Sequence, residues 1–189
     1  MKYATSVKRI CLYALLAAIL CVVSPLAVPI GPVPISFSVM GVLLCSAMLG
    51  VRAIVPVGIY LAIGALGLPV FAGGMGGFGV LVGPTGGFLW SYPVVAVLTG
   101  CLYRISLHNW KGGGHGFLHI ALGSIPGMVI CYVCGSIQYM LVASTSLMQS
   151  FLVCVAPFLL FDIAKIVLLC LITVRLLVIP SVRMTVTSL

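Results

Sequence analysis

The most regular feature of the chain is a succession of long apolar segments, separated by short stretches that hold prolines, glycines and basic residues. These segments lack both the strict alternation of a half-buried strand and the polar face of a surface helix. A segment that is apolar on all sides is typical of a helix inside a membrane. We therefore predict six membrane helices, approximately at Ile10–Val23, Ile35–Gly50, Ala53–Leu66, Phe88–Leu107, Phe117–Leu141 and Phe151–Val178.

The composition supports a membrane protein over a soluble one. Hydrophobic residues make up 63% of the 189 residues and charged residues only 5%, whereas a soluble domain carries roughly 25% charged residues. Backbone groups find no water in lipid, so a spanning chain must form helices or a closed barrel. Barrel strands would alternate between apolar and polar residues, which these segments do not. We predict an all-α integral membrane protein whose residues 1–189 form a single membrane domain.

The positions of the basic residues predict the topology. Eight of the nine Lys and Arg residues lie before the first segment, near the end of the last, or in or beside the second and fourth connections. The other connections, residues 24–34, 67–87 and 142–150, contain no Lys or Arg. Basic residues concentrate in cytoplasmic loops, so we expect six spans of the cytoplasmic membrane with both termini in the cytoplasm. This dispersed pattern also argues against a nucleic-acid partner, which would need a basic patch.

Two of the uncharged connections are too irregular to form regular helices and too apolar to lie in open water. Residues 24–34 contain four prolines, and residues 67–87 are rich in glycine yet strongly apolar. Irregular backbone is tolerated at membrane depth where it is buried in protein or lines a cavity. We predict that these external loops, the first and the third, fold over the outer mouth of the bundle and cover a pocket.

Asp162 is the only acidic residue of the chain, and it lies within the sixth apolar segment. A carboxylate at the centre of a membrane helix costs roughly 2.5–3.5 kcal/mol on insertion scales, so it marks a candidate functional site. Lys165, the ninth basic residue, follows one helical turn later on the same face. The two side chains could pair structurally, relay protons or bind a ligand. A relay would need further acidic groups, so ligand binding is the favoured interpretation.

Two other pairs have the spacing of metal ligands. His115 and His119 are four residues apart, but no carboxylate or cysteine lies near them in sequence, and a polar cytoplasmic loop is the favoured interpretation. Cys131 and Cys134 lack the second pair that a zinc site would need. We interpret them as small apolar residues facing a neighbouring helix. We therefore expect neither a metal nor another cofactor.

Two further features bear on partners. Ala14 and Ala18 are four residues apart in the first segment, a spacing that allows close approach of another membrane helix. From spacing alone, that helix could belong to this chain's own bundle or to a partner. No phosphate-binding loop of the form GxxxxGK[ST] occurs, so ATP-driven work would require an ATPase in another subunit.

Five motifs are spread over most of the chain: PVPISF at 32–37, GVR at 50–52, YLAIGALGLPVFAGG at 60–74, GPTGGF at 83–88, and Asp162-x-x-Lys165. In combination they resemble the BioY family, the biotin-binding S components of energy-coupling factor (ECF) transporters. The sequence departs from the usual family pattern at three places. Phe88 stands where the family usually has Tyr, Ser91-Tyr92 where it often has Gly-Phe, and Phe161 where it commonly has Gly. Phe161 would narrow the space beside Asp162 and retune the pocket without altering the class of ligand.

The resemblance implies a six-helix S component, a transport protein and not an enzyme, that captures biotin at the outer face beneath the first and third loops. It implies docking through alanines of the first helix, which would be Ala14 and Ala18 here. The partner would be a membrane coupling subunit driven by two ATP-binding-cassette ATPases. An S component for another small vitamin, a structural membrane subunit without a ligand, and an autonomous proton-coupled carrier are the alternatives.

The chemistry of biotin suggests a role for each candidate residue. Biotin has an anionic valerate, ureido N–H donors and an apolar thiophane ring, and it suits an apolar pocket with a few placed polar groups. Lys165 would meet the valerate, while Asp162 would orient that lysine or accept from a ligand N–H. Residues predicted to pack on the rings or supply a short hydrogen bond are Phe37, Phe71, Tyr92 and Thr85.

Overall fold

Eight α-helices dominate the described chain. The computed structural model describes residues 2–29, 31–108 and 115–178, with side chains described for 7–29, 31–105 and 117–176. The helices are α1 (Lys2–Val23), α2 (Ser38–Leu49), α3 (Ile54–Ala65), α4 (Phe78–Val82), α5 (Gly86–His108), α6 (His115–Ala143), α7 (Leu147–Cys154) and α8 (Ala156–Val178). Short 3-10 turns cover Gly50–Ala53 and Ala72–Gly74.

Four stretches of the described chain are long and apolar enough to cross a membrane. They are Ser38–Ala65, Gly86–Ile105, Phe117–Ala143 and Leu147–Leu176. The prediction of an all-helical protein with membrane-crossing segments is thereby confirmed. The four stretches do not include α1, and the first of them joins the second and third predicted segments. The count of six spans stays a prediction.

The helices α2 and α3 form a hairpin although only a 3-10 turn separates them. Gly50 ends α2 with φ +59° and ψ −137°, a conformation that a residue with a side chain rarely adopts. Ser38, at the start of α2, and Phe71 line the same cavity. The Phe71 ring also packs against Gly64, near the end of α3. The chain therefore leaves the level of the cavity along α2 and returns to it along α3.

Small residues at every fourth position of α6 allow α5 to pack closely against it. The row consists of Gly123, Gly127, Cys131 and Gly135. A Cβ atom at the three glycines would overlap, in order, with the side chains of Tyr103, Thr99 and Phe88. Small residues at this spacing are the usual means by which membrane helices approach one another.

The sixth apolar segment is interrupted, which the sequence interpretation missed. Helix α7 ends at Cys154 and α8 begins at Ala156. Pro157 has no N–H to continue the hydrogen-bond ladder and restricts the residue before it, so a break at this point is expected. A capping box of Ser146 and Gln149 fixes the start of α7.

The two uncharged connections predicted to be irregular contain short regular elements. The first forms the antiparallel strands β1 (Ala27–Val28) and β2 (Ile35–Ser36), with Ala27 opposite Ser36. The second contains the short helix α4, whose Leu81 carbonyl accepts a hydrogen bond from the amide of Gln138 in α6. The backbone N–H of Gly73 donates to the carbonyl of Pro25 over 3.2 Å. These bonds hold the two connections against each other and against the bundle.

Candidate functional site

A cavity lies between the first and third predicted external loops and helices α2, α5, α6 and α8. It contains about 620 Å³ of unfilled space when its open mouth is counted, but only a small part of that space is wide enough for a water molecule. The walls therefore stand close together. Its lining is mostly apolar: Val33, Pro34, Val39, Phe71, Ala72, Met75, Val80, Phe88, Leu89, Met128, Cys131 and Phe158, with Ser36, Ser38, Thr85, Tyr92, Tyr132, Asp162 and Lys165 as the polar members.

The charged pair predicted from the sequence lies in the wall of this cavity. The Lys165 ammonium and the Asp162 carboxylate are 2.7 Å apart, and the two residues are only 8% and 4% exposed. The three-residue spacing on α8 places both side chains on one face. A buried ion pair of this kind is tolerated only when hydrogen bonds satisfy its remaining atoms.

Tyr132 of α6 supplies such a bond and was missed by the sequence analysis. Its hydroxyl donates to Oδ2 of Asp162, while Lys165 donates to Oδ1. An ammonium has three N–H donors, and within the described chain Lys165 uses one of them. The site can therefore present a cation to an anionic ligand without abandoning the ion pair. The sequence feature that could have identified Tyr132 is the presence of a tyrosine within an apolar segment.

Aromatic rings form two groups around the cavity. Phe71 meets the buried Tyr60 edge to face, with ring centroids 5.5 Å apart, and Tyr60 lies 6.5 Å from Tyr92. Phe88 and Phe158 stack with their centroids 6.1 Å apart. Such faces suit a compact apolar ring system. Phe158 reaches the cavity from the first turn of α8, immediately after the break that the sequence did not indicate.

Two serine hydroxyls lie next to each other in the lining of the cavity. Ser36 and Ser38 share a hydrogen bond of 2.8 Å between their hydroxyl oxygens, and both line the cavity. Ser36 belongs to β2 and Ser38 begins α2, so the first predicted loop brings them together. Neither serine is among the site residues predicted from the sequence.

Six residues were predicted to contact a ligand. The structure brings five of them together in the lining of the cavity, namely Phe71, Thr85, Tyr92, Asp162 and Lys165. Phe37 does not line it. This residue precedes α2 as its N-cap, and its backbone N–H donates to the carbonyl of Leu26 over 3.2 Å. The neighbouring serines point into the cavity instead, because the turn between β2 and α2 directs the side chains of 36 and 38 to it. A contact of Phe37 with the ligand stays a prediction that the cavity lining does not support.

Ala14 and Ala18 lie on the exposed face of α1, whereas Leu16, Ala17 and Leu20 are buried against the rest of the bundle. The interpretation that Ala14 and Ala18 serve packing within this chain's own bundle is therefore not supported by the structure. The pair stays available to a helix of another subunit, and its role stays a prediction.

Metal ligation finds no support among the described residues, where no group of three His, Cys, Asp or Glu side chains could hold an ion. The His115 side chain lies outside the described residues, so the pairing of His115 with His119 stays untested. All eight cysteines are free thiols. Cys131 is 1% exposed and belongs to the small-residue row of α6.

The sequence of the chain is similar to that of a family of known proteins. The model of the BioY family matches residues 1–180. The probable biotin transporter BioY of Pyrococcus horikoshii is 33% identical over 159 residues, which cover 84% of this chain and 89% of that protein. The biotin transporter BioY of Thermotoga maritima is 33% identical over 152 residues, covering 80% and 85%. The alignment with biotin transporter BioY2 of Lactococcus lactis is 43% identical over 108 residues, and spans 57% of each chain.

The fold also matches a solved structure. The crystal structure at 2.1 Å of the S-component for biotin from an ECF-type ABC transporter superposes with a TM-score of 0.84. The match covers 93% of this chain and 94% of that chain, at 26% identity. The family model matches nearly the whole chain, and two relatives share about a third of their residues with it over at least four fifths of its length. This chain therefore belongs to the BioY family.

Proposed function

We propose that this protein captures biotin as the S component of an ECF-type ATP-driven transporter, a transport protein and not an enzyme. The observation that carries the proposal is the buried Asp162–Lys165 pair in the wall of an otherwise mostly apolar cavity. The BioY relatives are named biotin transporters, and the matching structure is an S component for biotin. The alternatives of a structural subunit and of a proton carrier find no comparable support.

The ligand is oriented by its charge. Lys165 meets the valerate of biotin, because it is the cation that lines this cavity. Asp162 keeps the ammonium in place, and the aromatic groups of Tyr92 and Phe88 pack on the apolar rings. Ser36, Ser38 and Thr85 lie where they can hydrogen-bond the ureido group. The cavity is narrow, so we expect its walls to move apart as the ligand enters.

The chain crosses the cytoplasmic membrane six times, with both termini in the cytoplasm. Helix α1 has 22 residues, which gives a length of about 33 Å at 1.5 Å per residue and is enough to span. The hairpin of α2 and α3 contributes two passes, with Arg52 at its cytoplasmic turn. The first and third external loops then lie together at the outer mouth, where they cover the ligand.

Transport requires partners. The exposed Ala14–Ala18 face of α1 docks on a membrane coupling subunit, which two ATP-binding-cassette ATPases drive. The bundle then reorients as a body and opens the cavity to the cytoplasm. The surrounding lipid is in contact with the exposed apolar faces of the other helices.

Binding of labelled biotin to the purified protein tests the proposal directly. We expect saturable binding that excess unlabelled biotin displaces, and loss of binding in Lys165→Ala protein that remains folded by circular dichroism. A folded wild-type protein without saturable binding would contradict the proposal. Displacement by a different vitamin but not by biotin would assign the protein to another ligand of the same transporter class.

Uptake into proteoliposomes tests the energy source. We expect accumulation of biotin only when the coupling subunit, both ATPases and ATP are present. Uptake by the protein alone, driven by a pH gradient, would instead indicate an autonomous carrier.

A further inference from the structure

Tyr132 lies on the boundary between the ligand cavity and a second, lateral groove. This groove runs between α6, α7 and α8 and is lined almost entirely by apolar side chains. Its walls include Ile125, Val129, Val133, Leu159 and Ile163, each about half exposed. The cavity and the groove share Met128, Tyr132 and Asp162. Asp162 therefore lies, like Tyr132, on the boundary between the cavity and the apolar groove.

The Tyr132 hydroxyl is the group that satisfies Oδ2 of Asp162 from across the helix interface. It reaches from α6, whereas the other partner of the carboxylate, Lys165, belongs to α8 itself. A buried carboxylate oxygen without a donor is costly. If Tyr132 did not donate, the least costly rearrangement would be rotation of the carboxylate to take a second N–H from Lys165. That N–H would then no longer be available to an anionic ligand.

We propose that Tyr132 is a positioning residue for ligand binding, which holds Asp162 so that Lys165 keeps donors free for the ligand's anionic group. Its ring also closes the cavity against the lateral groove. The inference rests on the proposed function and names a residue that acts through Asp162 and Lys165 rather than by contact with the anion.

Tyr132→Phe removes the hydroxyl and keeps the ring, so the wall towards the groove stays in place. Tyr103→Phe is the matched control: its hydroxyl bonds to Ser124 and is also buried between α5 and α6, but Tyr103 does not line the cavity. Both variants and the wild type are purified, their thermal unfolding is recorded, and their affinities are measured for biotin and for its uncharged carboxamide.

The proposed role predicts that Tyr132→Phe binds biotin roughly ten- to hundredfold more weakly, as expected for a lost hydrogen bond to a charged group. The carboxamide should lose much less affinity, because it does not use the charge of Lys165. Tyr103→Phe should keep the wild-type preference for the anion.

Several results would overturn the role of Tyr132 while leaving the proposed function in place. They are an unchanged affinity of Tyr132→Phe for biotin, an equal loss for biotin and its carboxamide, or the same loss in Tyr103→Phe. An equal loss for both ligands would indicate a loosened fold and not a positioned charge. Absence of biotin binding by the wild type would overturn the proposed function and this role together.

Discussion

Asp162 and Lys165 show how the interior of a membrane protein accommodates charge. Each is almost fully buried, and each has the other within hydrogen-bond distance. Burial of two charges is not in itself stabilising, because desolvation can exceed the Coulombic gain. Removal of one partner is more costly still, since it leaves an uncompensated charge. Retention of the pair is thus better explained by binding than by stability.

This reasoning predicts different outcomes for single and double substitutions. Lys165→Met should lower the free energy of unfolding by about 3–5 kcal/mol, because Asp162 loses its cation. Asp162→Leu combined with Lys165→Met should recover most of that loss, yet neither variant should bind biotin. Denaturant unfolding in detergent and labelled-biotin binding measure the two quantities.

Lys8→Met is a suitable control for these substitutions, because Lys8 is an exposed lysine on α1. We expect its stability and affinity to match the wild type. If the double variant were no more stable than Lys165→Met, the cost could not be assigned to an unpaired charge.

At the scale of secondary-structure elements, the end of α3 supports the connection that follows it, residues 67–87. Gly64 leaves space for the ring of Phe71, which packs where a Cβ atom would otherwise lie. The same ring lines the cavity and meets Tyr60 edge to face. The absence of a side chain at Gly64 therefore affects both the packing at the end of α3 and the shape of the cavity.

Gly64→Ala should displace Phe71, destabilise the protein by about 1–3 kcal/mol through overpacking, and weaken biotin binding. Gly58→Ala on the same helix is the matched control, since a Cβ atom there meets no atom within 4 Å. Alanine is a better helix former than glycine by up to about 1 kcal/mol, so this control should be neutral or stabilising. Thermal unfolding and biotin affinity are measured for both variants. If Gly64→Ala and Gly58→Ala had the same stability and the same affinity, the role of Gly64 would be refuted.

The packing of α5 on α6 depends on the small-residue row of α6. Gly127→Leu should force these helices apart, because even a Cβ atom would overlap with Thr99. We expect a loss of at least about 1–3 kcal/mol in the free energy of unfolding. Val129→Leu, on the exposed face of the same helix, should leave unfolding unchanged. A small effect of Gly127→Leu would show that the interface tolerates a wider separation.

At the scale of the whole molecule, charge and topology are linked. Two of the three uncharged connections line the cavity, and the hairpin turn that carries Arg52 lies at the far end of α2 and α3. The positive-inside rule places that turn in the cytoplasm. In the proposed orientation the cavity would open towards the outside, as capture of an external ligand requires.

Reporter fusions check this orientation. Alkaline phosphatase, which is active only outside the cytoplasm, should be active when fused after residue 145 and inactive when fused after residue 111. A green fluorescent protein at the C-terminus should fluoresce, as it does in the cytoplasm. The reverse pattern, or an active fusion after residue 111, would contradict six spans with cytoplasmic termini.

The sequence by itself determined the membrane class, the approximate helices, the family and the charged pair of the site. These features are local: apolar runs are read from composition, and Lys165 follows Asp162 on the same helix face whatever the rest of the chain does. The five motifs all lie within residues 1–180, which the model of the BioY family matches.

Only the tertiary structure decided which other side chains surround that pair. Tyr132 reaches Asp162 from a helix thirty positions earlier, and Phe158 lines the cavity just after a helix break. Ser36 and Ser38 line the cavity, whereas Phe37 between them does not. The reversal of the chain between α2 and α3 likewise depends on the conformation of Gly50. Hydrophobic periodicity cannot specify such contacts in a membrane, because helix faces that meet lipid and faces that meet protein are both apolar.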